Sequence, residues 1–425
     1  MTQAPGERGR KGPIHIRQQL IPRDGLTFTL AQAASDVLNI PIVEDYNTGI
    51  RDCAFVQSQY IQKEVNGHFV RSSTATGYLN KSIVTQGNEF EPDEFGVGRR
   101  KLTILAKTTV DKIVFRRKGG VHIAVGVDYI RNGQSQRAFA RKGIILSAGI
   151  FSSVILQRSG IGGTADLARA GIETIIDNPN VGHHLQVHNS VGMGIEIETS
   201  RLVEASLADP DQPVVLGAFA KQHGPGRRLQ LIGLPAPFFV PVQEVSINNW
   251  QFDPEKSTNV FSIGIFDLNP KSRGTILATH SDPQSNPTVQ IHALADPDDL
   301  NYLVDQYIET YNIITRARQM DPDGVYKVVY PPEPIFQMTD EEAKRERLAS
   351  YVIASYGNTF HFGGTCRMAK SKRDGVVDGY LNVFGTKRLK VADLSIAPVL
   401  PDGNTSIPSQ MIGLNAARFI REGRH

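Results

Sequence analysis

Apolar positions change period along the chain. Between residues 102 and 149, β-branched runs at Leu102–Ala106, Lys112–Phe115, Val121–Ile130 and Ala138–Leu146 read as strands, parted by turn residues such as Gly119-Gly120 and Asn132-Gly133. The end of the last run, from Gly143 to Gly149, is apolar at successive positions, which predicts a strand covered on both faces, as in an α/β sheet. A short apolar helix over Ser152–Arg158 follows, closed by Ser159-Gly160-Ile161-Gly162-Gly163. Residues 191–357 differ in texture. They hold a Pro-rich stretch at Leu234–Pro241, the single Trp250, and a predicted helix around Asp298–Met320 with Leu300, Leu303, Ile308, Tyr311 and Ile314 near helical spacing. A second helix is predicted from Glu341 to Tyr351. The chain finishes with a strand at Leu389–Ala392, a loop, and a helix from Pro408 to Glu422.

Composition narrows the class. The chain has 425 residues, 40% hydrophobic and 21% charged, as globular proteins do. A net charge of +3 and two short basic runs, Arg99-Arg100-Lys101 and Arg116-Arg117-Lys118, give no footprint for nucleic acid. No apolar stretch approaches the length of a membrane span. Two cysteines, Cys53 and Cys366, exclude a disulfide scaffold. The opening MTQAPGERGRKG is polar and lacks the apolar core of a secretory signal, which slightly favours the cytoplasm.

Two segments carry candidate chemistry. In the first, His361 precedes Phe362-Gly363-Gly364-Thr365-Cys366-Arg367-Met368. Histidine transfers protons near neutral pH, and the glycines would let backbone approach a flat ligand. Alone, such a histidine is more often a hydrogen-bonded structural residue. The second runs from Asp393-Leu-Ser-Ile-Ala-Pro398 through Gly403-Asn404-Thr405-Ser406-Ile407-Pro408 into the last helix. Ser406 reads as its N-cap and Pro408 as a first-turn residue. A helix start can stabilise an anion, although an ordinary capped helix has the same pattern. His183, His184 and His188 could hint at a metal, but no carboxylate or cysteine is close in sequence, and no metal is expected.

Together these motifs resemble the glucose–methanol–choline oxidoreductases. Further segments resemble the family in order: Arg71–Leu79, Thr109-Val110, Ser147-Ala-Gly149 through Ser159-Gly-Ile-Gly162, Pro179-Asn-Val-Gly182-His-His-Leu185-Gln-Val-His188, Pro270-Lys-Ser-Arg273-Gly274, and Asp282-Pro283. Departures are Val187 for an Asp and Val154 after Ser153. The resemblance implies a mixed α/β fold. Residues 1–190 would be an incomplete Rossmann-like FAD-binding domain, 191–357 a substrate lobe on an antiparallel sheet, and 358–425 a return to the FAD domain. It implies an FAD-dependent oxidation of a small-molecule primary alcohol. His361 would be the base and Asn404 its partner, with Val110, Asp393, Asn404, Thr405 and Ser406 at the cofactor.

The family's Gly-x-Gly-x-x-Gly turn is not found in residues 1–101. A truncated chain that binds FAD poorly unaided is therefore expected, with a separate N-terminal half as one way to complete it. The alternative functions are an inactive remnant, or a lyase or photochemical decarboxylase on the same scaffold.

Overall fold

The computed structural model describes residues 9, 11–18, 25–55, 59–79, 102–207, 216–221, 226–236 and 259–424. The run Arg99–Lys101, Trp250 and most of the Pro-rich stretch lie outside them. The chain forms two compact units, one from residues 1–104, 190–267 and 300–357, the other from 105–189, 268–299 and 358–425. This differs from three consecutive segments, because each unit is closed by strand pairing between distant stretches.

The first unit is built on an eight-stranded sheet. Leu216–Lys221, Arg228–Leu234 and Val260–Asp267 form its antiparallel centre. Cys53–Phe55 pairs on the outer side of this group, and Lys327–Tyr330 pairs antiparallel with Asn189–Glu196 at the other end. Alternation puts Phe261, Ile263 and Ile265 on one face, all fully buried, while Ser262 and Phe266 on the opposite face are buried too. A strand covered on both sides needs layers on both sides. The helix Leu26–Leu38 buries Leu26, Leu30, Ala31, Ala33 and Ala34, and the small alanines allow close approach to the sheet. The helix Pro297–Met320 buries Leu303, Tyr307, Ile314 and Ala317. Its Tyr307 hydroxyl donates to the Gly192 carbonyl at 3.1 Å. The helix Glu341–Ser355 starts on Asp340, whose carboxylate caps the Ala343 N–H.

The second unit contains the predicted hairpins. Thr108–Lys118, Val121–Arg131 and Gln134–Phe139 form an antiparallel meander. Its two-residue turns have φ of +57° and +77° at Gly119 and Gly120, and +53° and +75° at Asn132 and Gly133. Positive φ at both centres matches the twist of the flanking strands, which is why Gly-Gly and Asn-Gly occur here. A parallel pair, Ile144–Leu146 with Leu389–Val391, lies over a core that includes Ile113, Ile155, Leu156, Ile161, Val376 and Val383.

Three expectations are corrected. Residues 102–106 form no strand; Leu102, Ile104 and Leu105 are exposed, and strand-like sequence with no pairing neighbour among the described residues does not hold a strand. The run 138–146 splits, because Phe139 ends one hairpin strand and Ile144 opens a different pairing. Nor is Ile144–Leu146 covered on both faces: Leu146 enters the core while Ile145 is 48% exposed.

Candidate functional site

His361 is positioned by a short zipper in the second unit. Gln186 and Gly363 exchange two backbone hydrogen bonds of 3.0 Å each, and the Thr359 N–H donates to the His188 carbonyl at 3.3 Å. This register sets His188 opposite His361. The two rings meet edge-on at 87°, and their Nδ1 atoms are 3.1 Å apart. His188 is fully buried, and its Nε2 makes no hydrogen bond of ordinary geometry among the described residues. Burial, reinforced by the neighbouring His361, pushes His188 down to about 3. Burial also lowers His361, which is only half covered. Both rings are therefore neutral at neutral pH.

The glycines beside His361 have a different purpose from the one expected. A Cβ at Gly363 would lie 2.8 Å from Leu400 Cδ2, and one at Gly364 (φ +88°) 2.4 Å from the His184 carbonyl oxygen. Their missing side chains admit the protein's own backbone and side-chain atoms rather than a ligand. The contact with Leu400 also brings the second motif to the first. The Pro401 carbonyl and the Asp402 carboxylate act on the His188 ring, so the loop leading to Asn404 runs beside the histidine pair. Asn404 itself is exposed.

The last helix runs from Ser406 to Arg421, two residues longer at its start than predicted. Ser406 is inside it and is not the N-cap. Thr405 holds that place in a helical conformation, and no side chain caps the first turn. An uncapped helix start exposes N–H donors and positive partial charge. Ile407, Met411 and Leu414 follow at helical spacing and are 50–60% exposed, as is Val399. A flat, partly apolar ring with an anionic edge has matching chemistry.

Asp393 is used within the chain. Its Oδ2 accepts from Ser152 Oγ at 2.6 Å and Gly149 N at 3.1 Å, and its Oδ1 accepts from Ser395 N at 2.9 Å. It thus ties the Gly149 turn to the second motif. Val110 lies beside a bulge in the strand Thr108–Lys118, with its carbonyl accepting from Arg158 Nη2 at 3.2 Å.

The three histidines of the 183–188 segment face different partners. His183 Nε2 is 2.9 Å from Asp166 Oδ2, a carboxylate that is not close in sequence. Burial, with Arg367 nearby, pushes His184 down to about 4. His188 turns to His361. Sequence reading missed this last pairing. The available signal was the family-like element ending at His188.

Two models of one family, each described as GMC oxidoreductase, match residues 7–190 and 270–413. A 5-(hydroxymethyl)furfural oxidase of Methylovorus sp. (strain MP688) is 27% identical over 421 residues, 97% of this chain and 71% of that protein. An oxygen-dependent choline dehydrogenase 1 of Chromohalobacter salexigens is 30% identical over 368 residues, 83% of this chain and 60% of that protein. Among solved structures, pyridoxine 4-oxidase from Mesorbium loti matches in fold with a TM-score of 0.75 at 22% identity, over 98% of this chain and 73% of that one.

Proposed function

The chain belongs to the GMC oxidoreductase family, and from that premise we propose that it takes part in FAD-dependent oxidation of a primary alcohol, with His361 as the proton acceptor. The observation that carries this reading is a neutral, half-buried imidazole held by a backbone zipper beside the loop that leads to an uncapped helix start. The names of the two relatives point the same way, since hydroxymethylfurfural and choline both carry a primary alcohol.

When bound, FAD supplies a two-electron acceptor for hydride. His361 takes the hydroxyl proton of the alcohol, because a lowered pKa keeps its lone pair available at neutral pH. Asn404 donates its amide N–H to the substrate oxygen and holds the carbon in place. The first turn of Ser406–Arg421, led by Thr405 and Ser406, offers N–H groups to negative charge on the ring. Asp393 fixes the backbone around that site, and Val110 contributes through its strand backbone.

His361→Ala tests the reading in FAD-loaded protein mixed anaerobically with a primary alcohol. Loss of a positioned base should slow flavin bleaching by about 10²–10⁴-fold, equal to roughly 3–5 kcal/mol of barrier. An unchanged rate removes His361 from this role.

A further inference from the structure

The pair His188–His361 holds more information than a simple contact. Two imidazole nitrogens 3.1 Å apart are stable only if one carries a proton and the other does not. Two bare lone pairs would repel, and so would two N–H groups. Since both rings are neutral, each has one N–H, and the direction of this single hydrogen bond fixes the tautomer of both.

The surroundings of His188 decide the direction. Its Nδ1 is engaged by His361, so Nε2 is the nitrogen left to face its other neighbours. Nε2 is buried and makes no hydrogen bond of ordinary geometry among the described residues, while the Pro401 carbonyl reaches the ring as a hydrogen-bond acceptor. The Pro401 carbonyl and the Asp402 carboxylate both act to draw a proton onto the ring. These groups accept and do not donate, so the His188 N–H belongs on Nε2. That leaves Nδ1 bare.

We propose that His188 is a positioning residue whose Nδ1 accepts the Nδ1–H of His361, fixing the tautomer in which the His361 Nε2 lone pair is free to take a proton. The catalytic meaning rests on the reading of His361 as the base, while the tautomer itself does not. The zipper between Gln186 and Gly363 holds the two rings in register. A neutral imidazole suits this task because it orients the base without adding charge to it. A carboxylate there would raise the basicity of His361 and favour its protonated form.

The test uses the full chain labelled with 15N-histidine, near neutral pH, with two-bond 1H–15N correlation spectra. Spectra of His188→Asn and His361→Asn assign the signals. The expected result is His361 protonated at Nδ1 and bare at Nε2, with His188 the reverse. His361 protonated at Nε2 would overturn the proposal. Two substitutions separate orientation from mere packing. His188→Asn keeps an oxygen acceptor near the Nδ1 position, so it should keep the His361 tautomer. His188→Phe keeps a ring but no acceptor, so the His361 signals should move toward a mixture of tautomers. Flavin reduction should fall about 10–100-fold in the Phe variant, with most of that loss recovered by Asn. Equal tautomer mixing in Asn and Phe would refute the orienting role. If His361→Ala leaves reduction unchanged, the function proposed above fails, yet the spectra still decide the pairing.

Discussion

Asp393 offers the sharpest test of how the candidate site is braced. Its carboxylate accepts from Gly149 N, Ser152 Oγ and Ser395 N, joining positions up to 244 residues apart. Asp393→Ala deprives two backbone N–H groups of their acceptor, that of Ser395 buried and that of Gly149 half-buried, each at a cost of about 1–3 kcal/mol where water does not reach. Ser152 Oγ keeps the bond that it accepts from Ala148 N at 3.0 Å but loses the acceptor of its own O–H, a rotatable donor left out of the sum below. Two effects compete at the carboxylate: burial raises its pKa and the three donors lower it, and burial wins. Deletion therefore also removes a group that is itself disfavoured. Taking the lower half of the range for two orphaned donors gives about 3 kcal/mol. For a unit of this size that lowers the melting temperature by about 6–12 °C. Far-UV circular dichroism during heating reads the shift. Asp393→Asn should lose about half as much, since its amide nitrogen must face one of the same donors. A raised folded-state pKa adds a sign: the contribution of Asp393 is full in acid and is lost as pH rises through the folded value. The gap between wild type and Asp393→Asn should therefore narrow as pH rises through and above the carboxylate range. An Asp393→Ala protein that melts within 2 °C of wild type (about 0.5–1 kcal/mol) would refute the bracing argument.

Two further outcomes are expected. Gly364→Ala would force a side chain into positive φ against the His184 carbonyl, costing about 3 kcal/mol; a urea midpoint equal to wild type would show that the neighbouring backbone yields freely. Because burial lowers His361, the acid limb of flavin reduction should fall below the ordinary imidazole range; a limb at or above that range would mean that another group titrates.

Local signals were the legible ones. Gly119-Gly120 and Asn132-Gly133 announce their turns because few residues adopt positive φ at low cost, and the helix Pro297–Met320 shows part of its buried stripe in Leu303 and Ile314, while Leu300, Ile308 and Tyr311 are half-buried. The family motifs pointed to His361 and to the loop before the last helix. Features that depend on partners distant along the chain were hidden. His188 meets His361 across 173 residues, and no pattern near either one announces it. The glycines at 363 and 364 looked like room for a ligand because sequence does not show that Leu400 and the His184 carbonyl take that room. Residues 102–106 have strand-like composition but no strand partner among the described residues, and Ile145 is apolar without being covered.

The discontinuous make-up of the two units has a consequence for biosynthesis. The polypeptide passes from one unit to the other five times, at 104/105, 189/190, 267/268, 299/300 and 357/358. Ile144–Leu146 leaves the ribosome long before Leu389–Val391, its parallel neighbour. Neither unit can be completed as a nascent block, and ordering must wait until the segments that begin at Leu300 and Asn358 have been made. Such long-range closure is slow and leaves sticky edges open to other molecules in the meantime. Chaperone supply and growth temperature should therefore govern the yield of folded protein more strongly than codon-level expression does.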